Sequence, residues 1–193
     1  MNFVGRAEII ESIQSRIAMN QMSLCVVYGP HRSGKSYVAS QLVRRHKALY
    51  LAGRIANEAI HVADMNRALE ARFVPTDEQN KFEPITSLQE AFEGLFEDSV
   101  KTPQTVVIDD YPSLVEAVPQ FPIYFRDLLD SYKETSHLNI ILMANGLEQL
   151  DGRIIGERSL IGPYVSEYFE VKPFSLVDMK SLGLLYAKDD LRT

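Results

Sequence analysis

The sequence predicts an α/β domain in which a parallel β-sheet is covered by helices on both faces. Short apolar runs alternate with stretches whose apolar residues recur at helical spacing along the 193 residues. One run, residues 105–108, is continuously apolar and β-branched after its first position, as expected of a central parallel strand. A Gly-rich segment, residues 29–36, lies between an apolar run and a helical pattern. Strands separated by helices predict a parallel sheet in a three-layer α/β/α arrangement.

The first third of the chain predicts a helix, a strand, a second helix and a second strand. Four isoleucines at i, i+3 and i+4 spacing predict the first, amphipathic helix: Ile9, Ile10, Ile13 and Ile17. Residues 24–28 predict the first strand, and residues 37–43 predict a helix after the Gly-rich segment. Residues 48–52 predict the second strand, which ends at Gly53.

A third helix and a loop follow the second strand. Residues 56–72 predict the helix, and its expected inward positions are Ala59, Ile60, Ala63 and Leu69. Residues 73–84 are polar and contain two prolines, so we predict a loop there and expect it to be the mobile segment of the domain.

The second half of the chain continues the alternation. Ser87 and Glu90 form a capping-box pattern at the start of a helix whose apolar stripe is Leu88, Ala91, Phe92, Leu95 and Phe96. A further helix is predicted over residues 121–132, with Tyr124, Phe125, Leu128 and Leu129 inward. The remaining predicted elements are strands at 105–108, 139–143 and 168–171 and a short helix from about residue 175.

The Gly-rich segment reads Gly-Pro-His-Arg-Ser-Gly-Lys-Ser, a complete G-x-x-x-x-G-K-[ST] phosphate-binding motif between a strand and a helix. Gly29 and Gly34 allow the backbone to turn its N–H groups toward an anion. Lys35 can place its ammonium on the β- and γ-phosphates, and the Ser36 hydroxyl can ligate Mg²⁺. The residues predicted to surround the phosphates are Gly29, Pro30, His31, Arg32, Ser33, Gly34, Lys35, Ser36 and Tyr37.

Polar residues also follow the two later strands of the predicted sheet. Asp109 and Asp110 end a buried strand, where ligands bind in open α/β sheets. Asp109 suits Mg²⁺ held opposite Ser36, and Asp110 suits a general base that orients water. Asn145 is either a γ-phosphate contact or simply a turn residue, because Asn-Gly is a strong turn pair. The two carboxylates could equally be solvated acids in a strand-to-loop turn.

With these motifs placed, the chain resembles the archaeal-type ATPase family, in the STAND branch of the AAA-related P-loop ATPases. Four segments carry the resemblance: F-V-G-R-A-E from residue 3, the phosphate-binding motif, V-I-D-D-Y-P from residue 107 and V-K-P-F-S from residue 171. The resemblance implies a five-stranded sheet in the order 5-1-4-3-2. It also implies an adenine pocket formed in part by Val4, Gly5 and Arg6.

The chain departs from that family in three places. Asp110 stands where the archaeal members usually have Glu, which implies slower hydrolysis. Gly162-Pro163 stands where members often carry Gly-Arg, and Arg153 or Arg158 could substitute for that arginine. Typical members continue into a helical lid and a winged helix. We therefore expect residues 1–193 to be a single ATPase domain with its core over about 3–176 and without those additions, either as a minimal version of the family or as a fragment.

Composition limits the classes of partner. The net charge of −6 gives no overall basic surface for nucleic acid, and no apolar stretch approaches the length of a membrane span. The single cysteine, Cys25, fits a buried thiol in a reducing compartment, so we expect a cytoplasmic protein. The four histidines show no metal-ligand spacing. Arg126 is either an arginine finger acting in trans or an exposed helix residue.

Four functions fit these features. The first is Mg²⁺-dependent binding and slow hydrolysis of ATP in a nucleotide-dependent switch, with a protein partner or self-association. The second is an ATP-binding interaction module that does not hydrolyse ATP. A small-molecule kinase lacks support from an Arg-rich lid segment, and a DNA-associated motor subunit is disfavoured by the acidic charge. The absence of an Asn-Lys-x-Asp tetrapeptide favours adenine over guanine.

Overall fold

The computed structural model describes residues 6–73, 82–146 and 159–173, and these form the predicted α/β domain. Along the chain the elements are α1 (Ala7–Ala18), β1 (Ser23–Tyr28), α2 (Lys35–His46), β2 (Leu49–Ala52), α3 (Glu58–Glu70), α4 (Leu88–Lys101), β3 (Gln104–Asp109), α5 (Tyr111–Ala117), α6 (Phe121–Tyr132), β4 (Leu138–Ala144) and β5 (Val165–Glu170). A single 3-10 turn, Gly162–Tyr164, precedes β5.

The five strands form one parallel sheet in the order β2-β3-β4-β1-β5. This is the predicted order 5-1-4-3-2 counted from the other edge, so the predicted fold class is confirmed. Strand β1 lies between β4 and β5, and Tyr28 at its end is level with Ala144 at the end of β4. The loops that leave the carboxyl ends of β1, β3 and β4 therefore meet at one edge of the sheet.

Each face of the sheet packs against its own hydrophobic core. Leu24 and Val26 of β1 belong to the larger core, together with residues of α3 to α6. Cys25 and Val27 point to the opposite face and pack in a smaller core with α1 and α2. Because successive side chains of a strand alternate between faces, burial on both faces requires the continuous apolar runs seen in the sequence.

Aromatic side chains build the larger core around α4 and α6. Phe92 of α4 meets Phe121 and Phe125 of α6 edge to face, with ring centroids 5.1 and 5.3 Å apart. Such T-shaped contacts add to the free energy gained from burial of the rings. The predicted inward face of α6 is confirmed, since Phe125 and Leu129 are fully buried and Tyr124 and Leu128 pack against the same core.

The predicted inward face of α3 is wrong in part. Ala59, Ile60 and Ala63 are exposed, whereas Leu69 packs against the core as predicted. The buried residues of α3 are His61 and Met65, one turn apart. A hydrogen bond of 3.1 Å between His61 Nε2 and the Arg54 carbonyl satisfies one polar atom of that ring. The helix is thus rotated so that a polar ring faces inward, which apolar periodicity alone does not indicate.

Several predictions lie outside the described residues: most of the 73–84 loop, Val4, Arg153, Arg158 and the helix from about residue 175. Strand β5 begins at Val165, three residues before the predicted start at 168. Helix α5 was not predicted, because its seven residues are too short to show a helical period. None of the described helices is both long enough and apolar enough to cross a membrane.

Candidate functional site

The phosphate-binding loop leaves β1 at Gly29, which lies close to the backbone at the ends of β4 and β5. Its N–H donates to the Ala144 carbonyl at 3.3 Å, while the Val171 N–H donates to the Tyr28 carbonyl at 2.7 Å. A Cβ atom added to Gly29 would lie 2.2 Å from the Val171 carbonyl oxygen. The loop therefore requires glycine at this point for close backbone packing as well as for its turn.

The loop turns sharply into α2. Gly34 has φ 96° and Arg32 has φ 61°, so both lie in the left-handed region. Gly34 is the N-cap of α2 and offers no side chain to the first turn of the helix. The N–H groups at this helix start, together with the positive end of the helix dipole, face the space above the loop. Such a helix start attracts a phosphate group.

Lys35 is folded down onto the loop. Its Nζ donates to the Gly29 carbonyl at 2.7 Å and to the Pro30 carbonyl at 2.9 Å, and the residue is only 7% exposed. Burial lowers the pKa of Lys35, and the negative charges of Asp109 and Asp110 oppose that shift. The loop carbonyls thus hold the ammonium group, and the negative charge of the acidic pair favours its protonated form.

Asp109 is held in place by two donors. The Asp110 N–H donates to its Oδ1 at 3.0 Å, and the Tyr50 hydroxyl donates to its Oδ2 at 2.8 Å. Asp110 has φ 50° and is the N-cap of α5. The Ser113 hydroxyl donates to Asp110 Oδ2 at 2.7 Å. The two carboxylates therefore have different surroundings although they are adjacent in sequence.

Gly53 brings the end of β2 against the acidic pair. Its N–H donates to the Asp109 carbonyl at 2.6 Å, and a Cβ atom at Gly53 would lie 2.1 Å from the Asp110 carbonyl oxygen. The sequence marked Gly53 only as the end of a strand. Its position directly after a predicted strand, at the edge of the sheet where ligands bind, could have indicated that Gly53 lies in the site.

These elements enclose a cleft of about 520 Å³. The described residues that line it are His31, Arg32, Gly34, Lys35, Ser36, Tyr37, Ala52, Gly53, Asp109, Asp110 and Asn145. All predicted catalytic and metal-binding residues thus share one cleft. Of the other predicted loop residues, Ser33 is buried and Pro30 supplies a carbonyl to Lys35.

Ser36 and Asp109 both line the cleft, and their side-chain oxygen atoms fit a hard cation such as Mg²⁺, which prefers oxygen ligands. The described residues contain no cluster of three or more His, Cys, Asp or Glu side chains that could hold a metal ion. Mg²⁺ is usually bound through one or two carboxylates together with phosphate oxygens of a substrate, and one carboxylate beside a hydroxyl suits that arrangement.

Arg6 lies beneath the loop, and is 4% exposed. Its Nε and Nη2 donate to the Ser33 carbonyl at 2.9 and 2.6 Å, and Nη2 also donates to the Lys172 carbonyl at 2.6 Å. Its predicted contact with the nucleotide stays a prediction. Arg126 lies on α6, where its guanidinium bonds to the neighbouring Asp127 at 2.6 Å.

No family model matches the chain. An uncharacterized protein of Methanocaldococcus jannaschii is 20% identical over 178 residues, which is 92% of this chain and 37% of that protein. Three archaeal structures share the fold. Cdc6p of Pyrobaculum aerophilum has a TM-score of 0.67 at 16% identity, over 97% of this chain and 50% of its own.

The Walker-type ATPase of Pyrococcus abyssi has a TM-score of 0.69 at 17% identity, over 92% of this chain and 55% of its own. The ORC2 protein of Aeropyrum pernix, in ADPNP–ADP complexes, has a TM-score of 0.68 at 11% identity, over 95% of this chain and 52% of its own. The chain thus spans about half the length of these structures and less of its sequence relative. The comparisons show the fold of the P-loop ATPases, and the narrower STAND assignment stays a prediction.

Proposed function

We propose that this chain binds ATP together with Mg²⁺ in the cleft at the carboxyl edge of the sheet. The observation that carries the proposal is the convergence of three groups on one space: the start of α2, the Lys35 ammonium and the acidic pair. A helix start and an ammonium attract phosphate, whereas carboxylates require a cation between themselves and the phosphates. Triphosphate with Mg²⁺ matches both kinds of group in the cleft.

Each residue then has a distinct role in binding. Lys35 exchanges its loop carbonyls for phosphate oxygens, and the Ser36 hydroxyl and Asp109 would hold Mg²⁺. The ion would neutralise negative charge on the phosphate oxygens when bound. The ADPNP–ADP complexes of the Aeropyrum pernix protein, which has the same fold, support an adenine nucleotide here. Arg6 and Val4 belong to the segment that we expect near the adenine.

We further propose that the chain hydrolyses ATP slowly, to ADP and phosphate. Asp110 lines the cleft, and the Ser113 hydroxyl that donates to its Oδ2 orients a carboxylate that can accept a proton from water. Asn145 lines the same cleft and can hydrogen-bond the γ-phosphate or that water. Hydrolysis would change the contacts made by Lys35 and Asn145, and so couple the nucleotide to a partner as a switch.

A second candidate is ATP binding without hydrolysis. The hydrogen bond from Ser113 to Asp110 favours it, because this contact holds the Asp110 carboxylate against the first turn of α5, where Asp110 is the N-cap residue in a left-handed backbone conformation. In this alternative Asp110 shapes the turn, and the nucleotide stabilises the fold or an assembly.

The test is steady-state release of phosphate from ATP in Mg²⁺, with nucleotide binding measured in parallel by fluorescence. Lys35→Ala is the blank, because it removes the ammonium from the cleft. Lys101→Ala is the matched control, since this exposed lysine ends α4 and does not line the cleft. GTP is compared with ATP in the same binding assay.

Turnover by the wild type and Lys101→Ala that is lost in Lys35→Ala would support hydrolysis, and loss in Asp110→Asn would assign the base. Binding without turnover would favour the second candidate. A wild type that binds neither nucleotide would exclude both candidates.

A further inference from the structure

Tyr50 connects the exposed edge of the sheet to the acidic pair. It lies on β2, an edge strand, level with Val107 of β3, while Ala52 is level with Asp109. Because side chains two residues apart share a face of the sheet, the Tyr50 ring can run along the strand to Asp109. Its hydroxyl donates to Asp109 Oδ2 at 2.8 Å.

This hydrogen bond and the one from Asp110 together fix the orientation of the Asp109 carboxylate. Oδ1 already accepts the Asp110 N–H at 3.0 Å, so each oxygen has one donor. An ionised carboxylate has about four lone-pair sites, which leaves about two for other ligands. A tyrosine hydroxyl is ordinarily protonated at neutral pH, so it can donate this hydrogen bond.

The Tyr50 side chain is 40% exposed. An exposed hydrogen bond contributes little to folding, because water competes for both partners. Its main physical effect is therefore on the orientation of the carboxylate that it contacts. Carboxylates that hold metal ions depend on such outer hydrogen bonds to set their direction and basicity.

We propose that Tyr50 is a positioning residue for Mg²⁺: its hydroxyl orients Asp109 toward the ion that accompanies the nucleotide. This inference rests on the proposed function, since it requires Mg²⁺ at Asp109. It gives a side chain from the middle of the edge strand β2 a part in the site, in addition to the end of that strand, which lines the cleft.

The experiment measures the Mg²⁺ concentration that half-saturates binding of a fluorescent ATP analogue. Tyr50→Phe keeps the ring and removes the hydroxyl. We expect the half-saturating Mg²⁺ concentration to rise by about tenfold, as for other outer-layer partners of metal ligands. Affinity for the analogue in EDTA stays unchanged, because the phosphate-binding loop is not altered.

Tyr168→Phe is the matched control. Tyr168 lies on β5 at the opposite edge of the sheet, is 43% exposed and does not line the cleft. Asp109→Asn combined with Tyr50→Phe tests the route of the effect. If Tyr50 acts through Asp109, Tyr50→Phe adds no further change in the Asp109→Asn background.

An unchanged Mg²⁺ requirement in Tyr50→Phe would overturn the inference. So would an equal loss of affinity in EDTA, which would indicate general damage to the site. Full additivity with Asp109→Asn would also overturn it, because the hydroxyl would then act elsewhere. A wild type that binds nucleotide independently of Mg²⁺ would reject the role of Tyr50 while leaving nucleotide binding intact.

Discussion

At the scale of single residues, the site depends on two glycines that meet backbone rather than side chains. Gly53 faces the Asp110 carbonyl and Gly29 faces the Val171 carbonyl, both at distances that no Cβ atom tolerates. Gly94 in α4 differs, because a Cβ atom there would meet nothing within 4 Å. These contrasting surroundings allow opposite effects from the same substitution.

Gly53→Ala should lower the free energy of unfolding by about 3 kcal/mol, because backbone must move to accommodate the new methyl group. The movement displaces Asp109 and Asp110, so Mg²⁺-dependent nucleotide affinity should fall as well. Gly94→Ala should instead raise the free energy of unfolding by about 0.5–1 kcal/mol, since alanine is favoured within a helix. Urea denaturation of both variants measures the two changes. Equal stability of Gly53→Ala and wild type would show that the end of β2 can separate from Asp110.

At the scale of elements, local sequence pattern predicted the existence and type of most helices and strands. The continuous apolar runs became β1, β3 and β4, because strands covered on both faces bury mostly apolar side chains. Pattern failed where contacts outside the element decide its orientation. His61 faces inward, where its Nε2–H donates to the Arg54 carbonyl, and Arg54 lies outside α3.

The start of α4 was predicted from its capping pattern, and the structure confirms it. Ser87 Oγ accepts the Glu90 N–H at 3.1 Å, as the capping pattern requires. The Glu90 carboxylate reaches back to the Thr86 N–H at 2.7 Å rather than stopping at Ser87. The Ser87 bond satisfies one of the N–H groups that the first turn of the helix leaves free, and the Glu90 bond holds the residue before the cap.

Ser87→Ala should lower the free energy of unfolding by about 1 kcal/mol, because one N–H group at the helix start loses its acceptor. Ser131→Ala in α6 is the control, since this exposed hydroxyl donates to the Asp127 carbonyl within its own helix. Chemical denaturation should show no loss for the control. A Ser87→Ala variant as stable as the control would mean that water replaces the cap.

At the scale of the whole molecule, the parallel order of the sheet brings distant segments to one cleft. The phosphate-binding motif and the acidic pair could be placed from sequence because both follow predicted strands. The roles of Tyr50 and Gly53 could not, because each depends on how β2 lies against the end of β3. Such contacts between strands carry no local sequence pattern.

Arg6 also makes contacts between segments that are far apart in sequence. Its guanidinium joins the start of α1 to the phosphate-binding loop and to the segment after β5, through carbonyls 27 and 166 residues away in sequence. A charged donor bonded to buried carbonyls contributes more than a neutral one. The geometry therefore makes Arg6 a brace for the loop, whether or not it also contacts the nucleotide.

Arg6→Ala should lower the free energy of unfolding by about 3 kcal/mol without nucleotide, since two loop-bracing interactions of a charged donor are lost together. Arg126→Ala, which removes an exposed arginine paired with its neighbour Asp127, should change it by less than about 1 kcal/mol. Denaturation with and without Mg²⁺-ATP separates the brace from a direct nucleotide contact. If Arg6 is a brace, Arg6→Ala should have a lower free energy of unfolding than the wild type both with and without Mg²⁺-ATP. An Arg6→Ala variant that matches wild type without ATP, and loses only the stabilisation by ATP, would assign Arg6 to the nucleotide instead.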